Sequence, residues 1–130
     1  MSHVWGTTRA LAVQQPWAWL IVEGHKPVEN RSWWTKQRGP IAIHASEHVD
    51  APGYLWVRKT FPEILMPEPH EFEKGGIVGA AELIDCVDHY DSPWFSGPYG
   101  FVLADPRPCR FIPCRGQLAF FAWKSLRVRA

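Results

Sequence analysis

Twelve prolines and ten glycines divide this 130-residue chain into short pieces, and that punctuation constrains its fold more than any other feature. Proline removes a backbone donor and fixes φ, while glycine permits turns closed to other residues. The apolar pieces between them include "RALAVQ", "IAIH", "IVGAAELIDCVDHY", "YGFVLAD", "CRFIPCRG" and "QLAFFAW". Most have the length of one strand, and several short strands with turn residues between them predict a sheet. The expected fold is α+β: a small barrel-like sheet of about six strands with short flanking helices. A chain of this length is expected to form one domain, 1–130, with its own core.

The helices are brief. In "PWAWLIVEG" Pro16 suits a first turn and Gly24 a stop, and Trp17, Leu20, Ile21 and Gly24 fall at i, i+3, i+4 and i+7, a buried stripe. Asp50 is placed to cap a second helix over 50–60, with Pro52 in its first turn. After Pro27 the pattern changes, and 28–34 reads as a strand with Glu29, Arg31 and Trp33 on one face. A turn at Gly39-Pro40 predicts that this strand forms a hairpin with 41–44. Gly79 marks a bulge or a close backbone approach within its strand. The acidic, proline-rich 61–75 is expected to run over the surface.

Composition narrows the function. The chain is 46% apolar and 21% charged, and no apolar run approaches the roughly 18–20 residues of a membrane span. The opening "MSHVWGTTRALAV" lacks the order of a signal peptide. A cytoplasmic protein with no membrane partner is expected. Cys86, Cys109 and Cys114 form no paired C-x-x-C motif and read as buried thiols. The net charge of +1 conceals segregation: from Glu47 to Asp91 there are ten acids and three Lys or Arg, whereas from Arg107 to Ala130 there are six Lys or Arg and no acid. Such segregation gives a neutral protein a positive face.

The densest chemistry lies in "GHKPVENRSWW", Gly24 to Trp34. Lys26, Glu29, Asn30 and Arg31 can together bond a phosphate and a base edge, and Trp33 or Trp34 can stack on the base. The same residues also suit an ion pair between Glu29 and Arg31, with both tryptophans in the core.

"ALAVQQPWAWLIVEGHKPVENRSWWTKQRGPIAIHAS" resembles the opening of the ASCH domain, a family of the PUA-like superfamily. The likeness rests on Gln-x-Pro-Trp before a short helix, on Gly24, Lys26 and Arg31 as a glycine-lysine-arginine core one residue longer than its pattern, and on the Glu-Asn-Arg-x-Trp and Ile-x-Ile-His-Ala-Ser strands. "GGIVGAAELIDCV", "GPYGFVLADPRPC" and "IPCRGQLAFFAW" resemble its later strands, so the likeness covers nearly the whole chain. It is strongest to small stand-alone members of the endothelial-overexpressed, lipopolysaccharide-associated factor type.

The resemblance implies a PUA-like barrel that binds RNA or a modified nucleotide in a cleft between barrel and helix. On it Lys26 and Arg31 contact phosphate or a developing anion, Asn30 reads a base edge, and a tryptophan stacks, with Trp17 or Trp94 as a further wall. Gly24, His44 and Tyr99 are further candidates for the nucleotide-binding cleft, His44 as a proton donor given its ordinary pKa near 6.5. The alternative is a hydrolase acting on RNA or on an N-acylated nucleoside. One branch of relatives uses Lys, a Thr three residues on and a distant Glu. Lys26 and Glu82 fit the first and third positions, but Glu29 stands where the threonine belongs and cannot act as a hydroxyl nucleophile. Glu29 or Glu82 can still activate a water while Lys26 stabilises an oxyanion. A third reading has the basic C-terminal stretch dock a protein partner. His44 and His48 have the i, i+4 spacing of a helical metal pair without its usual glutamate, so no metal or cofactor is assigned.

Overall fold

A computed structural model describes residues 4–128. Residues 1–3 of the opening segment, and Arg129 and Ala130 of the basic C-terminal stretch, lie outside the described residues. Six strands and two helices follow in the order β1 (Arg9–Gln15), α1 (Trp17–Val22), β2 (Val28–Arg31), β3 (Gly39–Val49), α2 (Ala51–Thr60), β4 (Gly76–Val87), β5 (Tyr99–Pro113) and β6 (Phe120–Ala122). One mixed sheet holds all six strands, in the order β2-β5-β4-β3-β1-β6.

The α+β class and the six strands agree with the sequence, but the sheet is not closed into a barrel. β2 and β6 are its two edges. Arg31 on edge strand β2 nevertheless donates from Nη2 to the carbonyl of Ala12 on β1, at 2.7 Å and four strands away in the sheet order. The sheet must therefore curve far enough for one side chain to span the place where a ladder would have closed it.

The expected hairpin of 28–34 with 41–44 does not form. β2 ends at Arg31 and pairs antiparallel with β5, Val28 opposite Val102 and Arg31 opposite Tyr99. β3 lies between β4 and β1, antiparallel to the first and parallel to the second. "YGFVLAD" and "CRFIPCRG", expected as two strands, are one long β5. It continues through Pro106 and Pro108 because β2 covers only Tyr99 to Val102 on that side, leaving an edge where a missing N–H costs little.

α1 packs Ala18, Ile21 and Val22 on one face of the sheet against Leu11, Ile43, Leu83 and Phe101. The Gln15 side-chain oxygen Oε1 accepts from Trp19 N, satisfying one orphan donor of the first turn of α1. Gly24, exposed rather than part of the buried stripe, adopts φ +88°, a conformation in which glycine carries no Cβ penalty. The chain reverses there, and the amides of His25 and Lys26 both reach the Leu20 carbonyl. This turn aims Lys26 back under the helix.

Gly79 is the expected close approach. A Cβ there would collide with the Arg107 carbonyl and with Val22 of α1, so the missing side chain is what lets α1 sit on β4. The opposite face of the sheet carries a second cluster around Ala42, Ile77, Phe121 and Trp123.

Candidate functional site

Three charges from one short segment form the floor of the site. Lys26 Nζ lies 2.9 Å from Glu29 Oε1 and donates to the Val28 carbonyl at 2.6 Å. Glu29 Oε2 accepts from Arg31 Nε at 3.2 Å and faces Nη2 at 3.1 Å. Lys26 and Glu29 are only 4% and 7% exposed. A lone buried ion is costly, but one carboxylate between two cations, each of which also donates to a backbone carbonyl, offsets that cost. Lys26 has three donors, of which two are engaged, and its ammonium stands 5.5 Å from the centre of the Trp17 ring.

Above this floor opens a cavity of about 500 Å³, the aromatic lobe. Trp17, Trp56 and Trp94 line it together with Lys26, Glu29 and Asn30. Each wall is fixed by something behind it. Trp17 Nε1 donates to Asp50 Oδ2 at 3.0 Å, while Asp50 Oδ1 accepts from Gly53 N and caps α2 as the sequence predicts. Trp94 stacks on Phe61, with ring centres 4.4 Å apart and planes 15° apart. Trp56, on α2, meets Trp94 edge-on at 5.9 Å and stays 42% exposed.

A second cavity, of about 480 Å³, adjoins the first. Trp17, Glu29 and Asn30 line both. Beside Trp33, its other residues include Arg31, Ser32 and Gln14, with Ser46 from β3 and Gln117 and Leu118 from the β5–β6 loop. This is the polar lobe.

The expected residues divide accordingly. Trp17, Lys26, Glu29 and Asn30 line the aromatic lobe, and Arg31 and Trp33 line the polar one. Trp33 meets Phe101 and Phe120 edge-on at 5.1 and 5.7 Å, so it is anchored to the core. Asn30 also has a structural task. Its Oδ1 accepts from Ser96 N and Gly97 N and its Nδ2 donates to the Trp94 carbonyl, so it holds the loop that carries Trp94 and leaves one amide N–H.

Four expected residues line neither lobe. Gly24 shapes the turn before Lys26. Tyr99 is half-buried against the core, opposite Arg31 in the β2–β5 ladder. Glu82 alternates with Ala81 and Leu83 and so points to the sheet face away from α1; the Lys26–Glu82 pair is not brought together. His44 belongs to that other face too, edge-on to Phe121, with Nε2 donating to the Cys114 carbonyl at 2.7 Å and Nδ1 without a partner. Burial lowers its pKa, against weaker opposing effects of the Cys114 carbonyl and Glu47. Both His44 and His48 lie on β3 rather than on a helix, and among the described residues no group of three or more His, Cys, Asp or Glu is placed to hold a metal.

Asp50, Pro52, Gly53, Trp56, Pro93 and Ser96 complete the aromatic lobe without having been expected there. A cap signal pointed to Asp50, but nothing local showed that its second oxygen would orient Trp17.

A family model of the ASCH domain matches residues 11–97, which include α1, the charged floor and all three tryptophan walls. The chain belongs to the ASCH domain family. Human Activating signal cointegrator 1 is 36% identical over 109 residues, 75% of this chain and 19% of its own length. The mouse protein of the same name is 35% identical over 81 residues, 59% of this chain and 14% of its length. This ASCH chain therefore spans less than a fifth of either relative. Among solved structures, that of a mutant ZmASCH protein from Zymomonas mobilis superposes with a TM-score of 0.50 at 20% identity, covering 81% of this chain and 74% of that one. It shares the fold. No helix among the described residues is long and apolar enough to cross a membrane.

Proposed function

We propose that this ASCH domain binds RNA by taking one nucleobase, ordinary or modified, into the aromatic lobe. The observation that carries the reading is the buried Lys26–Glu29–Arg31 charge chain beneath three indole walls. A base presents two apolar faces and a polar edge. Trp56 offers a π surface to one face, while Trp17 and Trp94 wall the lobe around it, and a stacked base contributes roughly 1–3 kcal/mol. The free donor of Lys26, the remaining N–H of Asn30 and the Asp50 carboxylate offer partners to the edge. A volume of about 500 Å³ falls within the ordinary range of small-ligand sites. Association of the family with RNA supports the same reading.

The hydrolase alternative has less support, since it needs a carboxylate free to take a proton. Both Glu29 oxygens are engaged by cations, and Glu82 lies across the sheet.

The test is equilibrium binding of ribonucleotides to the wild-type protein and to Trp56→Ala, whose side chain is exposed enough to remove without opening the core. Affinity is expected to fall by roughly 5- to 150-fold, the equivalent of one stacking contact. Unchanged affinity would move the base out of the aromatic lobe.

A further inference from the structure

The two lobes are joined but unlike. They share Trp17, Glu29 and Asn30 along one rim, yet one adds the indoles of Trp56 and Trp94 and the other adds Arg31, hydroxyls and amides beside the single indole of Trp33. A free base would occupy the first and leave the second, of about 480 Å³, to water. The Arg31 guanidinium bonds Glu29 and Ala12 through Nε and Nη2, so its Nη1 edge remains for a ligand, and its side chain is 20% exposed. A guanidinium edge beside Ser32, Ser46, Gln14 and Gln117 suits a ribose and a phosphodiester. Beyond the lobe, Ser32 and Trp33 lead directly to Trp34, which is 54% exposed, and to the exposed cation Lys36. A large exposed indole is a stacking platform for a second base.

From this we infer that the ligand is an internal nucleotide of a single RNA strand and not a free nucleoside: its base occupies the aromatic lobe, its sugar-phosphate the polar lobe past Arg31, and the neighbouring base stacks on Trp34. The inference rests on the base-binding reading of the aromatic lobe and adds to it the class of ligand and the path of the strand. Arg31 thereby acquires two functions, neutralising Glu29 with one edge and holding phosphate with the other. Because phosphate contacts release counterions, strand binding weakens as salt rises, whereas uncharged nucleoside binding does not.

The test compares the four ribonucleosides, the same four as 3′- and 5′-monophosphates, and a mixed-sequence RNA hexamer. Each is titrated into the full chain, into Trp34→Ala and into Trp56→Ala. Expected are a monophosphate bound about tenfold or more tightly than its nucleoside, and a hexamer tighter again. Trp34→Ala should remove the hexamer's added affinity, a loss of roughly 5- to 150-fold, and leave the monophosphate unchanged. Nucleosides bound as tightly as the hexamer would overturn the strand path while leaving base binding in place. Equal hexamer affinity for Trp34→Ala and wild type would overturn the platform. A hexamer insensitive to Trp56→Ala would instead overturn the base-binding reading, and the strand path that rests on it.

Discussion

The Lys26 ammonium stands 2.9 Å from the Glu29 carboxylate, and neither residue is more than 7% exposed. Glu29 is thus the counter-charge that lets Lys26 and Arg31 occupy the same small space. Glu29→Gln keeps the shape and removes the charge, leaving two cations facing a neutral amide. A loss of about 3 kcal/mol is expected in urea unfolding, as for breaking other buried pairs. The Arg38–Asp85 pair, at 3.7 Å with side chains 39% and 58% exposed, is the control, since Asp85→Asn should change stability by less than about 1 kcal/mol.

Asn30→Ala removes the acceptor for two amides of the 94–97 loop and the donor to its first carbonyl. Hydrogen exchange at Ser96 and Gly97 should accelerate while strand amides of β3 and β4 keep their protection. Ligand affinity should fall too, because Trp94 loses the support that orients it.

His44 should make the fold sensitive to acid. Burial holds its folded-state pKa below the ordinary 6.5, so the unfolded chain takes up a proton first as pH falls. The stability this neutral imidazole contributes is complete above about pH 6.5 and declines below it, until the folded-state pKa is reached. His44→Gln retains a donor for the Cys114 carbonyl and cannot titrate. Unfolding curves between about pH 7 and pH 5 should fall more steeply for wild type than for this variant.

The cysteines should be poor nucleophiles. Burial and the nearby Glu73 carboxylate push the Cys109 thiol up to about 11, and burial raises Cys114 as well. Since thiolate is the reacting form, alkylation at pH 8 should be about tenfold or more slower at these two positions in the native protein than in urea, read by peptide mass spectrometry.

Gly79→Ala should cost about 1–3 kcal/mol, the usual range for overpacking. Its new methyl meets a backbone carbonyl on β5 as well as Val22, and the carbonyl cannot rotate away. A midpoint unchanged in thermal unfolding would show that α1 can lift from the sheet.

Features set by neighbours along the chain were legible in the sequence. Asp50 caps α2, Gly24 ends the turn after α1, Gly79 permits a close approach, and Glu29 and Arg31 share one face of β2. Each depends on the conformation of a few consecutive residues, which side-chain chemistry and backbone sterics largely fix. Pairing was not legible. The Gly39-Pro40 turn suggested a local hairpin, yet β2 found β5 some seventy residues away, at Tyr99 to Val102.

The site divides along the same line. The sequence by itself determined that Lys26, Glu29, Asn30 and Arg31 would lie close together, because they fall within six consecutive positions. Only the tertiary structure decided that Asn30 would hold the Trp94 loop, that Asp50 would orient Trp17, and that Glu82 and His44 would fall on the other face of the sheet. Strand register has a period of two, so a single alternation sends a side chain to the opposite face. Contacts across tens of residues depend on which strands pair, and that is settled by the packing of the whole sheet and not by any segment of it.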